Sequence, residues 1–208
     1  TGTLTAGDLS VTDVIPLDAP DADAVLARAT ALEQRSEHPV AAAIVDRGRE
    51  CDLDDGAATD TAVSGFEALA GEGIRADLDD ETHYVGKPSL FESLGFDLGH
   101  AHVRTDGGLA ATATTEPGAT TAGSPVPAAT ECEHGRYVDL AGEIIPDLQA
   151  DGKTVVVVGT ADRLLGVVAV ADTVRPESSW VVDRLHALGV NRVVMLTGDN
   201  ERTARAIG

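Results

Sequence analysis

Residues 153–170, KTVVVVGTADRLLGVVAV, hold two dense runs of β-branched and aliphatic residues on either side of a GTADR turn. Such side chains suit a pleated, packed surface, and the Gly, Thr and Asp between them are turn formers, so the segment predicts a β-hairpin. A hairpin this apolar needs a core to cover it, and that argues against a disordered chain in spite of the high net charge. With 208 residues the chain can build one large domain or two small ones. Aromatics make up only 3% of it, so the core must come from Ala, Val, Leu and Ile.

The charge excludes whole classes of partner. Thirty-five acidic residues stand against 15 basic ones, a net −20, which is the wrong sign for binding nucleic acid or an anionic membrane surface. The acids are spread along the chain rather than gathered in a tail. That pattern is expected of a halophile's cytosolic protein, where salt screens self-repulsion over a Debye length of about 3 Å at 1 M. No run approaches the 18 apolar residues of a membrane span, and no secretory leader opens the chain. Cys51 and Cys132 are too few for a disulfide framework, so a reducing compartment is expected. ECEHG, with Cys132 and His134, lacks the three or four ligands of a metal site, and no metal-ligating set is assigned.

Periodicity organises the rest. Residues 10–17 read as a short strand. DADAVLARATALEQ predicts a helix with Val25, Leu26, Ala29 and Leu32 on one face. VAAAIVDRGRE predicts a second helix, capped by Ser36 or His38 with Pro39 in its first turn. FEALAGEGIRADLDD and THYVGKP read as strands joined by turns, and PSLFESLG as a short helix. Residues 107–130, rich in Gly, Ala, Thr and Pro with the single charge Glu116, read as a flexible loop. Beyond the hairpin, ESSWVVDRLHALG predicts a helix with Val181, Leu185 and Leu188 on one face. NRVVML follows as a short buried strand, TGDN as a turn and ERTARAIG as the start of a helix. The order strand, helix, strand, turn, helix marks a parallel α/β layer, whereas the middle of the chain reads as antiparallel α+β. Two architectures in one chain imply one domain inserted into another.

Three groups of residues could carry chemistry. Thr197, Gly198 and Asp199, at the end of a strand and ahead of a helix, can grip phosphate oxygens, and equally make a plain turn with a helix cap. Thr1, Gly2 and Thr3 offer hydroxyls and amides around a group attached just upstream. Together, TGTLT at Thr1–Thr5 and TGDN at Thr197–Asn200 resemble the phosphorylation domain of the P-type ATPases. The signature of that family is Asp-Lys-Thr-Gly-Thr-Leu-Thr, so the resemblance places the phosphorylated aspartate and its lysine ahead of Thr1. SEHP at Ser36–Pro39, GEG at Gly71–Gly73, VGKPSLF and ADTVRPES resemble the heavy-metal (type IB) branch, in order along the chain.

The resemblance implies an antiparallel nucleotide-binding domain, residues 10–171, inserted into an incomplete haloacid-dehalogenase-like (Rossmann-like) phosphorylation domain formed by residues 1–9 and 172–208. It further implies an ATP site built from Glu33, Ser36, Glu37, His38, Pro39, Gly71, Gly73, Ile74, Gly86 and Lys87, with Asp172 and Arg175 from the returning segment. His38 would lie near the base, Glu33 would read the adenine and Ile74 would line it. The residues alone leave bland readings open: a helix-capping or core histidine, a solvated carboxylate, two turn glycines. Gly86-Lys87-Pro88 is closer to the zinc, cadmium and lead pumps than to the copper ones, which carry Gly-Asn there.

The family's cofactors are ATP and Mg²⁺, with the Mg²⁺-holding segment beyond Gly208. Its partners are the membrane, actuator and remaining phosphorylation segments of the same pump, on the cytoplasmic side of the membrane. A chain without the aspartate would bind nucleotide and turn over little or none. Two rival readings stay open: a soluble phosphohydrolase of the same superfamily, and a nucleotide-sensing module without catalysis.

Overall fold

In the computed structural model, which describes residues 5–53, 63–103, 130–132 and 135–194, the chain folds about a six-stranded sheet. Strand β1 (Thr5–Pro16) leads into helices α1 (Ala22–Glu33) and α2 (Pro39–Glu50). Strands β2 (Ser64–Leu69), β3 (Gly73–Leu78) and β4 (Glu81–Gly86) form a meander, followed by the short helix α3 (Pro88–Ser93). Strands β5 (Ala101–Val103), β6 (Thr130–Cys132) and β7 (Gly135–Val138) make a small second sheet in the order β5-β7-β6. A π-helical turn, Leu140–Ile144, runs into α4 (Ile145–Ala150), and β8 (Thr154–Thr160), β9 (Leu164–Val174) and α5 (Pro176–Ala187) complete the described chain. The large sheet has the order β1-β9-β8-β4-β3-β2, with every neighbouring pair antiparallel.

The expected hairpin is β8–β9, at the centre of this sheet. Its turn is closed by a hydrogen bond from Thr160 N–H to the Arg163 carbonyl at 2.8 Å. The unbroken valine run has a simple cause: both faces of the sheet are covered. Val156 and Val158 point into a core built with Val25, Leu32 and Ile44 of α1 and α2. Val155 and Val157 point the other way, into a core with Phe91, Leu140 and Leu148 from α3, α4 and the turn before it. The same alternation runs through Val167 to Val170 on β9. Each such valine contributes roughly 1.5–3 kcal/mol by leaving water. A Lys153–Asp13 ion pair at 2.8 Å, with both side chains almost covered, ties the start of β8 to β1.

The helices follow their periodicity. Asp21 caps α1 by accepting from Ala24 N–H at 2.8 Å, and Val25, Leu26, Ala29 and Leu32 are all buried as the spacing predicts. His38, not Ser36, is the residue whose side chain caps α2, and Pro39 stands at the first turn.

Other expectations are revised. The first strand begins at Thr5 rather than residue 10 and carries two register shifts against β9. The boundaries expected at 9/10 and 171/172 both fall inside this continuous β1–β9 ribbon. The helix over ESSWVVDRLHALG forms as α5, yet Val181 and Leu188 of its expected core face are exposed, as is Trp180. Asn191 to Val194 is not a strand, and Val193 and Val194 are exposed. A parallel strand needs hydrogen-bonded neighbours, and none stands beside these residues in the described chain. Residues 1–4 and 195–208, hence Thr1, Gly2, Thr3, Thr197, Gly198 and Asp199, lie outside the described residues, as does nearly all of the 107–130 loop. No described helix is long and apolar enough to cross a membrane.

Candidate nucleotide site

The three motifs of the central region meet at one place. α1 ends at Glu33, and the chain turns through Ser36 to His38 to start α2. The β2–β3 turn carries Gly71, and the end of β4 brings Gly86 beside Gly73. Between them lies a cleft of about 560 Å³, a size that fits a nucleotide base with its sugar. Glu33, Ser36, Glu37, His38, Pro39, Gly71, Gly73, Ile74, Gly86 and Lys87 all line it. They come from three separate segments, 33–39, 71–74 and 86–87, so their meeting is a product of the fold and not of local sequence.

Each wall has a physical reason. His38 is extended (φ −74°, ψ 141°), and its Nδ1 accepts from Val40 N–H at 3.2 Å. Neutral imidazole with an accepting Nδ1 carries its proton on Nε2, so the exposed side of the ring is a hydrogen-bond donor. Helix cap and cleft residue are thus one role, not rivals.

Gly73 is held at φ +155° opposite Gly86. A Cβ there would collide with the Val85 carbonyl oxygen and come within 2.5 Å of Gly86 Cα. A Cβ on Gly86 would meet the Glu72 carbonyl oxygen at 2.5 Å in return. The close approach that requires these glycines is therefore strand against strand, which leaves a smooth, Cβ-free floor. Gly71, at φ +76° with open space around it, is required only by its turn.

Glu33 is the electrostatic oddity. It is only 7% exposed, and its Oε2 has no hydrogen-bond partner among the described residues. Burial pushes its carboxyl from the ordinary value near 4.5 up to about 7, with a hydrogen bond from the Ser36 side chain acting in the opposite direction. A buried polar atom left without a partner is costly unless something else comes to meet it. Lys87, also on the cleft wall, is exposed, its backbone N–H donating to the Glu72 carbonyl at 2.8 Å.

Two expected residues are not brought to this group. Asp172 and Arg175 stand at the end of β9 and the start of α5, and neither lines the cleft. Asp172 accepts instead from Gly7 N–H at 3.0 Å, across the β1–β9 ribbon. Conversely, Val40, Leu69, Glu72, Val85 and the Thr154–Val156 edge of β8 line the cleft without having been singled out. No local pattern marks them. Only the pairing of β8 with β4 brings that edge in.

A haloacid dehalogenase-like hydrolase family model matches residues 1–208. A probable cadmium-transporting ATPase of Listeria monocytogenes is 38% identical over 216 residues, covering 100% of this chain and 24% of that protein. A probable copper-exporting P-type ATPase V of Mycobacterium tuberculosis is 36% identical over 207 residues, covering 100% of this chain and 21% of that protein. The crystal structure of a zinc-transporting PIB-type ATPase superposes with a TM-score of 0.69 at 29% identity, covering 100% of this chain and 26% of the other. The chain spans about a quarter of the length of the relatives it matches. It belongs to the haloacid dehalogenase-like hydrolase family, and along its whole length it is homologous to a segment of the heavy-metal P-type ATPases.

Proposed function

We propose that this chain is the nucleotide-handling segment of a heavy-metal-exporting P-type ATPase, with zinc or cadmium as the favoured cargo. One observation carries the reading: ten of the twelve residues expected at the ATP site line a single cleft with a glycine floor and an orphaned buried carboxyl. A soluble phosphohydrolase has no need of such a cleft.

Adenine would lie over the Gly73–Gly86 floor against Ile74, with the His38 Nε2–H and the Glu33 carboxyl at its polar edges. The phosphates would leave towards the exposed mouth, where Lys87 can serve them as a point charge. Closure of the region that holds the cleft against the phosphorylation-domain segments would then present the γ-phosphoryl group to the aspartate of the family's signature. Thr1, Gly2, Thr3 and Thr197 to Asp199 would hold its oxygens, and Asp172 and Arg175 would act at this junction rather than at the base. Positioning and charge stabilisation dominate phosphoryl transfer, so a site that fixes the base already does part of the catalysis. Mg²⁺ bound with the nucleotide neutralises phosphate charge. Among the described residues no three carboxylates, imidazoles or thiols are grouped to hold an ion.

The acidic surface suits a cytosol of high salt, on the cytoplasmic side of the membrane that the full pump would span. The test is calorimetric titration of ATP, ADP and GTP in molar KCl, with wild type and His38→Asn. Asn keeps the helix cap and deletes the Nε2–H donor. Adenine nucleotides are expected to bind in preference to GTP, and His38→Asn to weaken them about tenfold, about 1.4 kcal/mol. A folded wild type that binds no adenine nucleotide overturns the proposal.

A further inference from the structure

Glu33 combines three properties that ordinary surface carboxylates lack. It ends α1 against the apolar core, it is 7% exposed, and it lines the cleft with Oε2 unpartnered. An ionised carboxylate can only accept hydrogen bonds. The adenine edge that carries the N6 donor has a ring-nitrogen acceptor on either side of it, N1 and N7. A carboxylate facing that edge would satisfy N6 and set its second oxygen's lone pair against a ring nitrogen. A carboxylic acid offers one donor and one acceptor and matches both. Resting on the adenine-site reading above, we propose that Glu33 meets the base as a neutral acid, its O–H donating to the ring nitrogen beside N6 and its other oxygen accepting from N6. Nucleotide affinity then falls as pH rises past neutrality.

The surroundings favour the neutral form. Glu37 and His38 on the loop after α1, Glu72 on the β2–β3 turn and Lys87 before α3 are the other titratable groups of the cleft wall, and all four are exposed. The walls supplied by β4, by the start of α2 and by β8 hold Val85 and Gly86, Pro39 and Val40, and Thr154 to Val156, none of them titratable. Burial, opposed by Ser36, puts the carboxyl's midpoint at about 7. A base seated in the cleft removes more water from the carboxyl and shifts the balance further the same way.

The test is titration of ATP into wild type and Glu33→Gln from about pH 6 to about pH 8.5, since Gln carries the same donor and acceptor but does not titrate. Every other ionisation, that of ATP included, is common to both proteins, so the ratio of their affinities isolates Glu33. Wild type is expected to weaken about 30-fold relative to Glu33→Gln across that range, as the competent fraction declines. At low pH either 1-deaza-ATP or 7-deaza-ATP should bind wild type about tenfold more weakly than ATP, and the preference should fade at high pH. Should Glu33→Gln fail to fold, the carbon-13 shift of Glu33 Cδ in the wild-type complex at neutral pH gives the same answer, a neutral acid being expected and an ionised one overturning the proposal. Parallel pH profiles, or indifference to both analogues, overturn the neutral-acid proposal while leaving the adenine site standing. Absence of ATP binding to either protein at every pH overturns both.

Discussion

Helices α1 and α5 have the same length, 12 residues, and the same kind of apolar stripe, but opposite fates. Val25, Ala29 and Leu32 of α1 are completely buried under α2 and the sheet, while Trp180 of α5 and Leu188, which caps its C-terminus, are 67% and 68% exposed. Amphipathic spacing therefore states what a helix can cover, not whether a partner is present. In the described chain the region from β1 to β9 is closed, with cores on both sides of its sheet. After β9, the described residues leave an apolar face exposed, with Trp180, Val181 and Leu188 on it. The proposed base cleft lies within the closed region, whereas Thr1 to Thr3 and Thr197 to Asp199, proposed to hold the phosphoryl group, lie outside the described residues.

The sharpest way to break the closed region is Gly73→Ala. The left-handed φ costs roughly 1–2 kcal/mol by itself, and the clash with the β4 backbone adds to it, so about 4 kcal/mol or more is expected in denaturant unfolding. Gly71→Ala, in open space, should cost no more than the backbone strain, and equal losses at the two positions would refute the close-approach explanation. Leu32→Ala comes next, at roughly 2–5 kcal/mol for emptying a filled core position.

Glu33→Gln should act in the opposite direction, and only in one pH range. The folded carboxyl is raised from near 4.5 to about 7, so the native state holds its proton where the unfolded chain releases it. Stability from this group is full below about pH 4.5, declines through the interval and is lost above about pH 7. Glu33→Gln should therefore leave the unfolding free energy near pH 4 almost unchanged and raise it at pH 8, by on the order of 3 kcal/mol, as read by denaturant unfolding at the two pH values. The smallest effect belongs to α5. Leu188→Ala should change stability by less than about 0.5 kcal/mol, because a residue already in water has little to lose. A loss there as large as that of Leu32→Ala would erase the distinction between the two helices.

Much of this is legible in the sequence because the signals are local. Val25, Leu26, Ala29 and Leu32 follow helical spacing, the GTADR turn separates two β-rich runs, and Pro39 follows a capping residue. What escaped was set by tertiary pairing. Nothing in TVVVV says that alternate valines serve two different cores until β8 is seen between β9 and β4. Nor does GEG say that Gly73 is fixed by Gly86 across the sheet rather than by a ligand. The strand expected over NRVVML was read from composition alone, and a parallel strand exists only with its neighbours. At the site, the resemblance placed Glu33 and His38 near the base. The orphaned oxygen of Glu33 and the Nε2–H tautomer of His38 follow from packing and capping, which no spacing encodes.

The most direct test of the central claim is to map backbone amide shifts on adding ATP to the folded chain in molar KCl. The account predicts that the largest changes gather at Gly71, Gly73, Gly86, Lys87 and the His38–Val40 turn, while α5 stays still. Changes confined to α5 or to the β5–β7 sheet, with the cleft unmoved at saturating ATP, would contradict it.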